Sequence, residues 1–257
     1  MGVLNVTPDS FSDGGRFFAQ DAALARAREM IQQRADLLDI GGESTRPGAA
    51  PVSEDEELAR VVPLFEALAD APIPLSIDTR RPRVMRAALA AGASMVNDVE
   101  ALEAPGALEA IAASDCAVCL MHKKGDPRTM QRDPRYADVV AEVKAYLAAR
   151  IAAVEAGGIV RERIVADPGF GFGKTPAHNL QLLGRLEEFG ALGVPILAGW
   201  SRKSTLGTIT GRAVDERLAA SVAAALLAAE RGANILRVHD VAETRDALAV
   251  WQAMNSA

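Results

Sequence analysis

The chain has 257 residues, 49% apolar and 24% charged, which places it among ordinary soluble folds rather than disordered or fibrous chains. A net charge of −6 argues against a nucleic-acid or anionic-membrane surface, and no apolar run reaches the ~18 residues of a bilayer span. The first residues lack a basic stretch ahead of an apolar core, so no signal peptide is read and the expected compartment is the cytoplasm.

Short β-branched or apolar runs alternate with longer stretches of helical periodicity. In chain order the pattern predicts strand 3–6, helix 21–33, strand 37–40, helix 54–69, strand 75–78 and helix 82–91. It continues with strand 95–99, helix 105–113, strand 118–122, helix 136–156 and strand 164–167. Helix 176–189, strand 196–198, helix 215–231, strand 235–239 and helix 241–254 complete it. Pro82, Pro105 and Pro176 stand where helices begin, a position that tolerates a missing N–H. Gly92, Gly157, Gly190 and Gly232 stand just past helix ends, as C-caps do. Strict alternation predicts a parallel sheet, and this count and length predict a single (β/α)8 TIM barrel over 1–257. An open, doubly wound sheet is the alternative.

A barrel keeps its chemistry at the carboxyl ends of its strands. Those ends carry Asn5, Asp39, Asp78, Asn97 with Asp98, His122, Asp167, Ser201 with Arg202 and Lys203, and Arg237 with His239. Packing does not account for so many polar side chains on one face. Asp78, Asn97 and Asp167 have no evident cationic neighbour in sequence and suit a planar heterocycle with an amino-amide edge. Arg237 and His239 share a strand face and, with Arg46, suit phosphate or diphosphate. The 201–204 segment opens a helical stretch, and a helix start attracts anions.

Two lookalike motifs are set aside. Cys116 and Cys119 have an odd spacing within a strand pattern, which sends them to opposite faces, so core packing is the better account. Gly173-Lys174-Thr175 suggests a P-loop, but the position five before Gly173 is Pro168. Gly169, Gly171 and Gly173 are read instead as letting the backbone approach a flat ligand. The residues alone therefore describe a barrel that binds a heterocycle beside a phosphate and transfers a group between small molecules.

At this point the chain resembles the dihydropteroate synthase family. The resemblance is carried by residues 2–15, 39–48, 76–79, 96–98, 119–122, 166–174, 199–204 and 237–240, in that order from first strand to last. It implies condensation of a dihydropterin-methyl diphosphate with para-aminobenzoate, with Mg2+ and loss of diphosphate. Carried over by motif, Asp78, Asn97, Asp167, Gly199, Lys203 and Arg237 would hold the pterin. Asn5, Thr45, Arg46, Arg237 and His239 would hold the diphosphate, with Asn5 on the metal. Pro47, Phe172, Lys203 and Ser204 would bind the aminobenzoate, and Asp13, Arg46 and Lys203 would carry the catalysis. The resemblance also implies a homodimer.

Two departures from the family pattern stand out. Members usually carry extra residues, often a hairpin, ahead of strand one, and reduced stability is expected without them. Arg34 stands where a helix-ending glycine is common, at a cost of roughly 1 kcal/mol if it is left-handed. Three rivals remain. A methyl-transferring pterin barrel would not need Arg46, Arg237 and His239. An inactive homologue would have lost loop residues that are present here. A nucleotide hydrolase on 173–175 conflicts with Pro168. The alanine-rich run 219–229 could pack on a second helix, or only within the barrel.

Overall fold

The structure, a computed structural model, describes residues 1–6, 15–43, 52–125 and 130–256, with backbone alone for 15–19. Eight parallel strands alternate with helices. They are β1 (Gly2–Asn5), β2 (Leu38–Gly41), β3 (Leu75–Asp78), β4 (Met95–Asp98), β5 (Ala117–Met121), β6 (Ile164–Asp167), β7 (Leu197–Ala198) and β8 (Ile235–Leu236). β1 to β6 pair in sequence order as one sheet, and β7 pairs with β8. Single parallel bridges, Ala166 to Ile196 and Gly2 to Val238, join the two sheets into a ring. The expected barrel is therefore present, with two seams held by one bridge each. The last strand is shorter than predicted: its ladder with β7 ends at Leu236, and Val238 bridges to Gly2 instead.

The helices are α1 (Gly15–Gln32), α2 (Glu54–Ala67), α3 (Pro82–Ala90), α4 (Ala107–Ala112), α5 (Val139–Ala156), α6 (Pro176–Gly184), α7 (Ser204–Thr210), α8 (Leu218–Glu230) and α9 (Val241–Asn255). Local chemistry sets several ends. The Ser53 side chain accepts the Glu56 N–H at the start of α2, whose first turn carries four acidic residues. Thr175 and His178 exchange caps at the start of α6, where Pro176 needs no donor partner. Pro63 lies inside α2 and cannot donate to Ala59, whose carbonyl receives the Gln20 amide instead.

Some predicted ends are corrected. Helix 176–189 stops at Gly184 and continues as a 3-10 segment, Leu186–Leu192. Gly190 sits inside that segment, and Gly193, at φ 67°, ends it. Pro105 does not open a helix, since Gly106 is the N-cap of α4. Arg34 does adopt the left-handed conformation, at φ 64°, while the Ala35 N–H closes back on the Met30 carbonyl.

Alternation along the strands builds two cores. Leu4, Leu38, Ile40, Ile77, Val96, Val118, Leu120 and Ala166 join the large core between sheet and helices. Met95, Cys119, Val165 and Leu197 form a small cluster inside the ring. Both cysteines are free; Cys116 belongs to the outer core and Cys119 to the inner one, as their spacing predicts. Continuing the inner parity toward the carboxyl ends gives Asn5, Gly41, Asp78, Asn97, Asp167, Gly199 and Arg237. No helix among the described residues is long and apolar enough to cross a membrane.

Candidate active site

Strand register puts the first group of polar residues at one height. Asn5 lies opposite Gly41, Gly41 opposite Asp78, and Asp78 opposite Asn97. Across the ring, Arg237 follows β8 and reaches back. Its Nε donates to Asp39 Oδ2 and its Nη2 to Asp78 Oδ2, each at 2.6 Å. Asp78 has no evident cationic neighbour in sequence, and the fold supplies one from 159 residues away. Burial pushes the Asp78 carboxyl up to about 7, with Arg237 opposing and Asp39 adding to the rise. Burial disfavours the charge on Arg237, but the Asp39 and Asp78 carboxylates outweigh it and the pKa is raised.

Lys203 approaches from the turn after β7. Its Nζ donates to the Phe170 carbonyl and stands 4.6 Å from the centre of the Phe172 ring. Burial lowers it to about 8, with Asp167 opposing and Arg237 adding to the fall. Asp167 accepts the Gly169 N–H at 2.7 Å, and burial raises its pKa against the pull of Lys203. Arg202, just ahead of Lys203, is left-handed at φ 60° and is held by Asp240, with Nε 3.2 Å from Oδ2.

A cavity of about 370 Å³ opens at this end of the ring. Of the predicted residues, Asn5, Phe172, Gly199, Lys203, Ser204, Arg237 and His239 line it. Asp78, Asn97 and Asp167 do not line it directly; Asp78 and Asn97 connect to it through Arg237 and Asp39. A side chain at Gly199 would meet Arg237 only at 3.8 Å, so protein packing does not demand glycine there. The His239 ring and backbone N–H both meet the Ser201 hydroxyl, at 3.0 and 3.2 Å. Ser204 is exposed at the start of α7, whose first turn has no side-chain cap. Asn5 makes no side-chain hydrogen bond among the described residues. Its Oδ1 is a hard oxygen donor of the kind Mg2+ takes, so the residue fits that ion. Asp13, Thr45, Arg46 and Pro47 lie outside the described residues.

Of the three glycines after β6, Gly171 lines the cavity, and the other two need a different account from the one their sequence suggests. Gly169 and Gly173 have positive φ, and a Cβ there would collide with the carbonyls of His122 at 1.8 Å and Lys124 at 2.2 Å. They fit the β6 loop against the β5 loop rather than against a ligand. Lys174 locks the same joint. It is 2% exposed and donates to the Gly169 and Phe172 carbonyls, at 2.9 and 3.0 Å, with His122 Nδ1 also at 2.9 Å. Burial and then the nearby Lys174 charge hold His122 down at about 3, so its ring is neutral. A lysine committed in this way is not a phosphate ligand, which removes the nucleotide-hydrolase rival.

Three further residues support the site, and the sequence reading gave them no role. Asn179, 1% exposed, accepts the Gly171 N–H at 2.8 Å and donates to Thr205 Oγ1 at 3.0 Å, tying the Phe172 loop to α7. Glu43 Oε1 accepts both the Val52 N–H and Arg81 Nη2, at 3.2 and 3.0 Å, and Arg81 also donates to the Val52 carbonyl. Asp39, noted only as a strand-end residue, lies at the centre of the hydrogen bonds beneath Arg237. Its one sequence signal is a carboxylate at an inward-facing strand position.

Comparison with known proteins agrees with this geometry. The pterin binding enzyme family profile matches residues 1–239. The chain is 50% identical to the dihydropteroate synthase of Escherichia coli K12, covering 100% of this chain and 92% of that one. It is 53% identical to the dihydropteroate synthase of Neisseria meningitidis serogroup B, covering 99% and 92%. Among solved structures, the Xanthomonas albilineans dihydropteroate synthase with 4-aminobenzoic acid superposes with a TM-score of 0.95 at 56% identity, covering 100% of this chain and 93% of that one. The Burkholderia cenocepacia dihydropteroate synthase complexed with 7,8-dihydropteroate gives 0.91 at 53% identity, covering 100% and 91%.

Proposed function

The chain belongs to the pterin-binding enzyme family, and from that premise we infer that it condenses a 6-hydroxymethyl-7,8-dihydropterin diphosphate with para-aminobenzoate. The products are 7,8-dihydropteroate and diphosphate, a step of folate biosynthesis, and the setting is the cytoplasm. The observation that carries this reading is the convergence of Lys203, Arg237 and His239 with Asp78, Asn97 and Asp167 at one end of the ring. Hydrogen-bonding groups for a heterocycle and cations for a diphosphate meet in one place.

The pterin edge is held by Asp78, Asn97 and Asp167, and the ring lies along the Gly199 backbone beside Arg237. Arg237 uses Oδ2 of Asp78 and leaves Oδ1 for the ligand. Arg237, His239 and Lys203 face the diphosphate with positive charge and so favour its departure. The family resemblance assigns Thr45 and Arg46 to the same diphosphate, and Asp13 with Arg46 to the catalysis. Asn5 would hold Mg2+, which would supply positive charge to neutralise the diphosphate. The pterin methylene tolerates developing positive charge, so bond breaking runs ahead of amine attack, and no protein nucleophile is needed. Phe172 and the Lys203 stem flank the aminobenzoate ring, to which the family resemblance also assigns Pro47, and its carboxylate meets the uncapped start of α7 at Ser204. Positioning of this kind supplies at most ~7–11 kcal/mol of barrier reduction.

The test is incubation with the pterin diphosphate, Mg2+ and labelled para-aminobenzoate. Labelled dihydropteroate is expected, and no product from folded protein would refute the assignment. The active species is read as a homodimer.

A further inference from the structure

Asp39 is fully buried, yet it does not line the cavity. The register places it level with Val3 and Ser76, one layer below Asp78 and Asn97. Ser76 itself pairs with Met95, so this layer is otherwise mostly apolar. All its bonds go to neighbours inside the ring. Oδ1 accepts Ser76 Oγ at 2.6 Å, and Oδ2 accepts both Asn97 Nδ2 at 3.0 Å and Arg237 Nε at 2.6 Å.

We propose that Asp39 is a positioning and specificity-determining residue, one that fixes the donor and acceptor polarity which Asn97 and Arg237 present to the pterin. This rests on the pterin-binding reading of the site. A carboxylate only accepts hydrogen bonds, so the Asn97 amide must turn its NH2 toward Asp39 and its carbonyl away. The same carboxylate pins Arg237 through Nε while Asp78 takes Nη2, and Nη1 is left uncommitted among the described residues. Arg237, which lines the cavity, and Asn97, one layer above Asp39 and bonded to it, therefore have their orientation set by a carboxylate that does not itself reach the cavity. Stability alone does not explain the choice. A buried charge is costly to desolvate, and a buried ionic cluster often contributes no more than well-packed apolar residues replacing the whole of it.

The experiment is calorimetric titration of the wild type and of Asp39→Asn with two probes. One is 6-hydroxymethylpterin, with its 2-amino-4-oxo ring, and the other is the corresponding 2,4-diaminopteridine. Asparagine keeps the shape of Asp39 but offers either an oxygen or an NH2, so Asn97 becomes free to turn. The expected result is about tenfold weaker binding of the oxo pterin by D39N. The preference for the oxo ring over the diamino ring should also fall several-fold. Ser76→Ala, which keeps the charge and removes one anchor, should move both readouts the same way by less. Folded D39N with wild-type affinity and preference would overturn the proposal. If D39N does not fold, wild-type behaviour of S76A would overturn it. A wild type that binds neither probe would remove the pterin reading and the proposal with it, a result distinct from an insensitive D39N.

Discussion

At the scale of single residues, the site holds two groups whose charge changes near neutral pH, and they act in opposite directions. Asp78, raised to about 7, loses its acceptor capacity as pH falls through that value. Lys203, lowered to about 8, loses its positive charge, and with it the proposed attraction for anionic ligand groups, as pH rises through that value. The pH profile of kcat/KM, which reports the free enzyme, should therefore be a bell with limbs near about 7 and about 8. Lys203→Arg keeps its charge at high pH, so the alkaline limb should disappear even where the rate is lower. An unmoved limb would assign that titration to another group. The raised Asp78 carboxyl also binds a proton more readily folded than unfolded. Its contribution to stability is thus present at low pH and declines between about 4 and about 7. None of this was legible in the sequence, which showed Asp78 and Lys203 as strand-end residues without their surroundings. What the family pattern did mark was Arg34 at a helix end where glycine is common, and the residue is left-handed there.

At the scale of elements, the β5 and β6 loops form one piece. Gly169 and Gly173 allow the close approach, and Lys174 fastens it from inside. Lys174→Met would keep the length of the stem and leave several buried carbonyl groups without their donor. A loss of roughly 2–4 kcal/mol is expected, measured by urea unfolding with an unchanged m-value. A change below about 0.5 kcal/mol would show that the clamp carries no stability. The sequence misled here for a physical reason. Three alternating glycines before a lysine carry the same local signal whether they face a ligand or a neighbouring loop, and only the tertiary partner distinguishes the two. Helix starts fixed by their own caps, such as Thr175 and Pro176, were readable. The end of that helix, which passes into a 3-10 turn at Leu186, was not.

At the scale of the molecule, strict alternation of strands and helices was enough to identify the barrel, because each unit repeats the same right-handed step. The alanine-rich run was ambiguous, and the structure separates its two faces. Ser221, Ala224, Ala225 and Ala228 are buried within the subunit, while Leu218 and Leu227 are 40% and 42% exposed, as are Ile209 at 55% and Val214 at 49%. Equilibrium sedimentation at micromolar concentration should give a dimer, and Leu218→Glu with Leu227→Glu should shift it toward monomer. Monomer alone in the wild type would overturn that expectation. The two single-bridge seams have a further consequence. They separate a six-stranded arc that holds Asp39, Asp78 and Asp167 from a two-stranded arc followed by Lys203, Arg237 and His239. The ion pairs that reach across, Arg237 to Asp39 and to Asp78, converge on Arg237, which lines the cavity. Arg237 thus serves as a suture for the ring: a substitution that removes it takes away both a cavity-lining cation and two ion pairs that span the arcs.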